Sequence, residues 1–339
     1  MKVSELGEFG LIDVLNEIVA SEEKTGEAWD NLIIGIGDDT AAWRSSAGVQ
    51  LSTIDAMVQD IHFKLGMTSW EELGWKSLAI NLSDIAAMGG SPRYALVSLG
   101  LPGETDVRDI IFFYQGMLDL ARRHEVAIIG GNISRSPLVT INIAVHGDAR
   151  RPEELLTRSG ARPGDKIAVT GYLGASSAGL EMLTKELSFD PQTMIILRQA
   201  FLQPVPRVKE GLVLAEGGVR AGIDISDGFV SDLGHVCKAS RLGARVRMDI
   251  LPVAPAVKAN FGDRAIELAL SGGEDYELLF TAPMPVMDVV KSTIGCPVTI
   301  VGEMVLDQDT GVTLLDKNGK IYIPQKIGWD HFSGEERGD

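Results

Sequence analysis

The run Trp75-Lys76-Ser77-Leu78-Ala79-Ile80-Asn81-Leu82-Ser83-Asp84-Ile85-Ala86-Ala87-Met88-Gly89-Gly90 decides how the first half of the chain is read. It predicts a helix over Trp70 to Met88. Ser69 is placed to cap its start, Glu71 and Glu72 fall in the first turn, and Gly89-Gly90 stops it. Ser77, Asn81 and Asp84 stand at i, i+4 and i+7 and so share one face. That polar line is either the solvent side of the helix or an inward-facing set. A solvated face usually carries Lys or Glu, and neither follows Lys76 in this stretch.

Outward from this helix, short β-branched runs alternate with longer helical patterns, which makes the chain α/β. Leu32–Ile36, Val49–Ile54, Tyr94–Leu99, Val126–Ile129 and Leu138–Val145 read as strands. A second helix is predicted from Thr105 to His124, with acids early and Arg122, Arg123 and His124 late, as the helix dipole favours. The polar, turn-rich stretch Asp148–Asp165 marks a boundary between a domain of residues 1–148 and one of 149–339. Beyond it, Lys166–Thr170, Ala244–Ile250, Glu277–Thr281 and Pro297–Val301 read as strands, and Gly174–Leu187 and Asp227–Ser240 as helices.

Composition narrows the function. The 339 residues are 45% hydrophobic, 23% charged and only 6% aromatic, enough for two domains with their own cores. Thirty-one Lys and Arg against 47 Asp and Glu give a net charge of −16, which argues against a nucleic-acid or anionic-membrane partner. A phosphate compound is met by such a surface through a bridging cation. Cys237 and Cys296 lack zinc or CxxC spacing, which fits a reducing cytosol. No signal-peptide pattern occupies Met1–Gly10, and no apolar run reaches the roughly 18 residues of a membrane span.

Several acids occupy places where charge is usually unwelcome. Asp38 and Asp39 follow the apolar run Leu32–Gly37, and Asp55 ends Leu51–Ile54. Strand ends in α/β sheets collect ligands, although any one of these acids can equally cap a helix or open a turn. Asp224-Ile225-Ser226-Asp227-Gly228 places two acids about a Ser at a strand-to-turn junction. Hard oxygen donors gathered in this way suit Mg²⁺ with phosphate oxygens and water. Gly130-Gly131-Asn132-Ile133-Ser134, Gly171–Ser177 and Ser271-Gly272-Gly273-Glu274-Asp275 are candidate phosphate loops, each weak alone. The P-loop, Rossmann, protein-kinase and Ser/His/Asp signatures are missing. His62 on its own reads first as a structural histidine.

Together these residues resemble the thiamine-monophosphate kinases, of the aminoimidazole-ribonucleotide-synthetase-like (PurM-like) superfamily. The resemblance runs from Gly7-Glu8-Phe9-Gly10 through Gly35–Ala41, Thr53-Ile54-Asp55, His62-Phe63, Asn81–Gly89, Thr157–Asp165, Ile223–Gly228 and Ser271–Leu278 to Gly328–Phe332. It implies ATP- and Mg²⁺-dependent phosphorylation of thiamine monophosphate to thiamine diphosphate by direct in-line transfer, with no obligatory protein base. The nearest alternatives are another enzyme of the superfamily, such as aminoimidazole ribonucleotide synthetase, or a non-catalytic ATP-binding member. The implied fold has two domains, the N-terminal one closing a β-barrel with that of a second copy in a cytoplasmic homodimer. The C-terminal α/β domain completes the nucleotide and substrate cleft.

Matched by motif, Asp39, Thr53, Asp55, Asp84, Asp224 and Asp227 hold the metals; Gly131, Asn132, Arg158 and Ser226 contact ATP; and His62, Glu274 and Trp329 shape the substrate site. Two positions depart from the family. Ile54 stands where a hydroxyl residue is usual, leaving its carbonyl as the possible ligand. Asn132 replaces an Asp, so its amide oxygen coordinates without formal charge and weakens one metal site.

Overall fold

The computed structural model describes residues 1–21, 26–34, 42–45, 48–306 and 311–329. The chain divides into two compact units, residues 1–155 with 202–216, and residues 156–201 with 217–339. The first opens with α1 (Val3–Ser21), α2 (Glu27–Asn31) and a small pair, β1 (Leu32–Ile34) and β2 (Ala42–Trp43). It continues with β3 (Val49–Val58), α3 (Trp70–Ala87), β4 (Ser91–Leu101), α4 (Val107–Arg123), β5 (Ala127–Arg135) and β6 (Thr140–Ala149). The second begins with β7 (Lys166–Thr170), α5 (Ala175–Thr184) and α6 (Pro191–Leu202). The chain then returns to the first unit as α7 (Val208–Glu216). The second unit resumes with β8 (Ala221–Asp224), α8 (Phe229–Ser240), β9 (Gly243–Arg247), α9 (Pro255–Phe261), α10 (Arg264–Ser271), β10 (Leu278–Ala282), α11 (Met284–Thr293), β11 (Val298–Val305), β12 (Val312–Leu315) and β13 (Ile321–Tyr322).

In the first unit four strands pair in the order β3-β6-β4-β5, with β4 and β5 parallel and the other pairs antiparallel. The sheet of one chain is open at β3 and β5. Leu78, Leu82 and Ile85 of α3 and Phe113 and Met117 of α4 are buried, as are the alternate residues Ile141, Ile143 and Val145 of β6. Along β3 the alternation also holds, but its half-buried positions include Thr53 and Asp55 while Ser52, Ile54 and Ala56 are exposed.

Helix α3 begins with a complete capping box. The Ser69 hydroxyl accepts the Glu72 N–H at 3.2 Å, and the Ser69 N–H donates to Glu72 Oε2 at 2.8 Å. Glycines fix where the helix lies. A Cβ on Gly74 would meet the carbonyl oxygen of Phe113 in α4 at 1.8 Å, and one on Gly116 of α4 would meet that of Glu71 at 1.9 Å. On another side, a Cβ on Gly211 of α7 would sit 2.2 Å from the Ala86 carbonyl oxygen. Backbone therefore packs on backbone around α3, and the returning segment 202–216 is anchored by Trp75 Nε1–H donating to Pro204 O at 2.7 Å.

The second unit carries a seven-stranded sheet, β13-β12-β9-β11-β7-β10-β8, antiparallel except for β12 beside β9. Every residue of β10 is buried, as suits an interior strand. Its core joins Val169, Ile223, Phe229, Leu233, Leu270 and Leu279. Three expectations need adjustment. The strand expected over Ala244–Ile250 ends at Arg247, because Met248–Ile250 turns as a 3₁₀ helix. The helix expected from Gly174 runs Ala175–Thr184, with Gly174 left-handed before it and Glu186 left-handed after it. The helix expected from Asp227 begins at Phe229, after Gly228 at φ 124.

Inserting a methyl group at the α3–α4 crossing forces two helix backbones apart. Gly116→Ala is expected to lower unfolding stability by about 1–3 kcal/mol, read as an earlier urea midpoint at unchanged slope. An unaltered midpoint would show that the close approach is not needed.

Candidate functional site

The polar line of α3 faces into the protein. Ser77, Asn81 and Ser83 are buried, and Asp84 is half-buried. The solvent-side alternative for this face is thus set aside. Ser77 Oγ donates to Gly74 O at 3.0 Å, and Asn81 Nδ2 donates to Ser77 O at 3.1 Å. Asn81 Oδ1 accepts the Asp55 N–H at 3.0 Å, so α3 satisfies an amide of the edge strand. Thr53 Oγ1 donates to Asp84 Oδ2 at 2.5 Å. Thr53, Asp55, Asn81 and Asp84 are thereby drawn together from two elements far apart in sequence. Burial raises the Asp55 pKa to about 6, and the nearby charge of Asp84 adds to the rise.

Asn132 is not part of this group within one chain. Gly130-Gly131-Asn132 lies inside β5 rather than in a phosphate loop, and a Cβ on Gly131 would meet Val97 O at 1.8 Å. The register aligns Ala56, Asn142, Ser98 and Asn132 in one row and Asp55, Ile143, Val97 and Gly131 in the next. Asn132 therefore belongs to the opposite face of the sheet from Asp55 and to its opposite edge, about 14 Å away at ordinary strand spacing. Ile54 is 66% exposed, also on the face away from Asp55. His62 sits in the turn after β3, where its Nδ1 accepts the Val58 N–H at 3.0 Å, which puts the proton of the neutral ring on Nε2. Asp39 lies outside the described residues, as do Asp330, His331 and Phe332 of the tail motif.

In the second unit Asp224, 4% exposed, ends β8 at the sheet edge. The following loop is laced to the segment before β10. Ser226 O accepts the Glu274 N–H at 2.8 Å, Ile225 O the Tyr276 N–H at 2.9 Å, and Asp227 O the Trp329 N–H at 3.0 Å. Glu274 and Tyr276 hold left-handed φ values of 66 and 49, a local strain of the kind found at functional sites. Asp224, Ser226, Asp227, Glu274 and Trp329 thus occupy one neighbourhood. Arg158 stands apart from it in an exposed turn, its carbonyl accepting from Ser240 Oγ at 2.8 Å at the far end of α8. That helix spans about 18 Å.

Two acids escaped the sequence reading. Asp232 is 1% exposed, and its Oδ2 accepts the N–H groups of Ser226, Asp227 and Gly228, each at 3.1 Å. Burial and the Asp227 charge push its pKa up to about 7, against the pull of those amides. Asp275 takes the Gly174 N–H at 2.7 Å and the Ser176 N–H at 3.2 Å, and burial raises it to about 7 as well. The start of α5, expected as a phosphate loop, is therefore already filled by a carboxylate. The available signal was an N-cap glycine followed by an Asp in the first turn of an apolar helix. Among the described residues, ligand atoms of Asp227, Asp232 and His235 lie within 4.8 Å of one another.

The donors gathered on the first unit are all oxygens: the Thr53 hydroxyl and the carboxylates of Asp55 and Asp84, whereas the Ile54 carbonyl, opposite the Asp55 N–H across one peptide, points toward β6. Such a set fits a hard divalent cation. Without one, the folded protein binds more protons than the unfolded chain between the ordinary Asp55 value of 3.8 and about 6. The Asp55 contribution to stability therefore declines as pH rises through that window. Carboxyl-carbon NMR of metal-free protein is expected to find Asp55 titrating near pH 6. In Asp84→Asn the value falls only part of the way back, because burial is the larger cause. A titration near 3.8 in the parent protein would refute this environment.

The AIR synthase related protein N-terminal domain family matches residues 37–149, and the corresponding C-terminal domain family matches residues 162–314. Thiamine-monophosphate kinase of Escherichia coli (strain K12) is 37% identical over 333 residues, covering 96% of this chain and 98% of that protein. The crystal structure of thiamine-monophosphate kinase from Stenotrophomonas maltophilia K279a is similar at TM-score 0.80 and 33% identity, over 92% of this chain and 96% of that one. A structure of AaThiL complexed with AMPPCP and TMP is similar at TM-score 0.75 and 33% identity, over 98% and 99%. Two acid-lined polar sets on a scaffold shared nearly end to end with these proteins identify the chain as a member of the thiamine-monophosphate kinase family, within the AIR synthase related proteins.

Proposed function

We propose that the protein transfers the γ-phosphoryl group of ATP to thiamine monophosphate, giving thiamine diphosphate. The observation that carries this reading is the near full-length likeness to the AaThiL structure complexed with AMPPCP and TMP. The oxygen-only set around Asp55 and Asp84 supports it, as does a net charge of −16 that repels uncomplexed phosphates. We assign Asp39, Thr53, Asp55, Asp84, Asp224 and Asp227 to metal binding and leave out Asn132, on the opposite face and edge of its sheet, and the Ile54 carbonyl, which points toward β6. Gly131, Asn132, Arg158 and Ser226 are assigned to ATP, and His62, Glu274 and Trp329 to the substrate. Magnesium, when bound, neutralises charge on the phosphoryl oxygens.

The chain's own part is positioning. Thr53 holds Asp84 in place by a hydrogen bond, and Asn81 fixes the backbone at Asp55. The laced loop of residues 224–228 gives Ser226 and Asp227 a rigid base. The acceptor oxygen of a phosphate monoester is largely deprotonated at neutral pH, so in-line attack requires no protein base. The reading also includes a cytoplasmic homodimer. Among the described residues no further strand pairs with β3 or β5, and Ile54 is exposed, as a barrel shared between two copies requires. Among the described residues no helix is long and apolar enough to cross a membrane.

Incubation with ATP, Mg²⁺ and thiamine monophosphate, thiamine or formylglycinamidine ribonucleotide, with products identified by mass, is expected to give product only with the first. Product from the third alone would move the enzyme to the aminoimidazole ribonucleotide branch, and none from any would leave an ATP-binding accessory protein. Asp84→Asn is expected to lower activity on the order of 10–100-fold at limiting Mg²⁺, with partial recovery in excess metal. A loss indifferent to Mg²⁺ would remove Asp84 from the metal set.

A further inference from the structure

The loop bearing Asp224, Ser226 and Asp227 is held by a residue outside every role assigned above. Asp232 lies one turn into α8, and a single oxygen of its carboxylate receives three consecutive backbone amides, those of Ser226, Asp227 and Gly228. Gly228 caps α8 without a side chain, and its own N–H, with the two before it, is met from within the helix. Successive amides converging in this way form the kind of nest that elsewhere cradles a phosphate. Here the nest is occupied by the protein's own anion. The opposite side of the loop is closed too. A Cβ at Gly273 would lie 2.5 Å from Ser226 O, and the carbonyls of Ile225, Ser226 and Asp227 are each engaged by a backbone N–H. The amides of residues 226–228 and the carbonyls of 225–227 are thus taken up within the protein.

We propose that Asp232 is a positioning residue for the phosphoryl-transfer site: its carboxylate takes up the amides of residues 226–228, which would otherwise be free to hold a phosphate, and so fixes the loop and the carboxylate of Asp227. The loop then meets a nucleotide phosphate through the Ser226 hydroxyl and through a cation held by its carboxylates, not through its amides. This rests on the kinase reading above. Ligand atoms of Asp227 and Asp232 are within 4.8 Å, so the charge at 232 acts on Asp227 at close range. Asparagine at 232 retains an oxygen for the three amides and removes the charge, whereas alanine removes both.

Asp232→Asn and Asp232→Ala in the full chain separate the two contributions. In the Asn variant the amides of residues 226–228 are expected to keep their protection in hydrogen exchange and the melting midpoint to stay within a few degrees. Its half-saturating Mg²⁺ concentration is expected to rise about tenfold, with kcat at saturating metal falling by less than that. In the Ala variant the three amides exchange freely and kcat falls without recovery in excess Mg²⁺. An Asn variant with the parent's Mg²⁺ requirement, or an Ala variant whose amides remain protected, overturns the proposal. Should Asp232→Ala not fold, the Asn variant decides. Should the parent phosphorylate none of the substrates offered, Mn²⁺ affinity measured by electron paramagnetic resonance decides instead. Weaker binding by the Asn variant sustains the proposal, and equal binding overturns it, whatever becomes of the kinase reading.

Discussion

A helix that turns amide and carboxylate groups inward must satisfy them there, and the first unit is organised around that requirement. Asn81 uses both ends of its amide, donating to Ser77 O and accepting from the Asp55 N–H. Asp84 receives the Thr53 hydroxyl. These bonds need α3 at a fixed depth and rotation relative to β3. The glycine contacts with α4 and α7 supply that constraint, since backbone resting on backbone tolerates neither sliding nor an added methyl group. Packing on the far sides of the helix thus sets the geometry of its polar side.

The second unit meets the same problem differently. Its buried acids are satisfied by backbone amides: Asp232 by the loop after β8, Asp275 by the start of α5. In a chain with a net charge of −16, filling nests with carboxylates removes the sites at which an anion could bind unaided. The second unit thus keeps these amide donors for itself.

Much of this was legible in the sequence because the signals were local. The capping box at Ser69, the stop at Gly89-Gly90, strand Lys166–Thr170 and the shared face of Ser77, Asn81 and Asp84 each follow from neighbours a few residues apart. What the sequence left ambiguous depended on tertiary approach. A glycine pair serves a phosphate loop and a tight strand crossing equally well, and Gly130-Gly131 proved to be the latter because Val97 O fills the space of a side chain. Motif matching grouped Asn132 with Asp55, but register places them on opposite faces of one sheet, a relation invisible without knowing the strand order. The return of residues 202–216 to the first unit is likewise long-range.

The juxtaposition of Asp55 and Asp84 is unfavourable on its own terms, for burial and mutual repulsion both oppose ionisation of Asp55. A threonine hydroxyl and an asparagine amide orient this pair, Thr53 donating to Asp84 Oδ2 and Asn81 accepting the Asp55 N–H. A divalent ion held by these oxygens would gain free energy by relieving the burial and repulsion that oppose ionisation of Asp55. The same reasoning applies to Asp227 with Asp232 behind it, which suggests that affinity for the incoming ion is set by residues that never need to touch it.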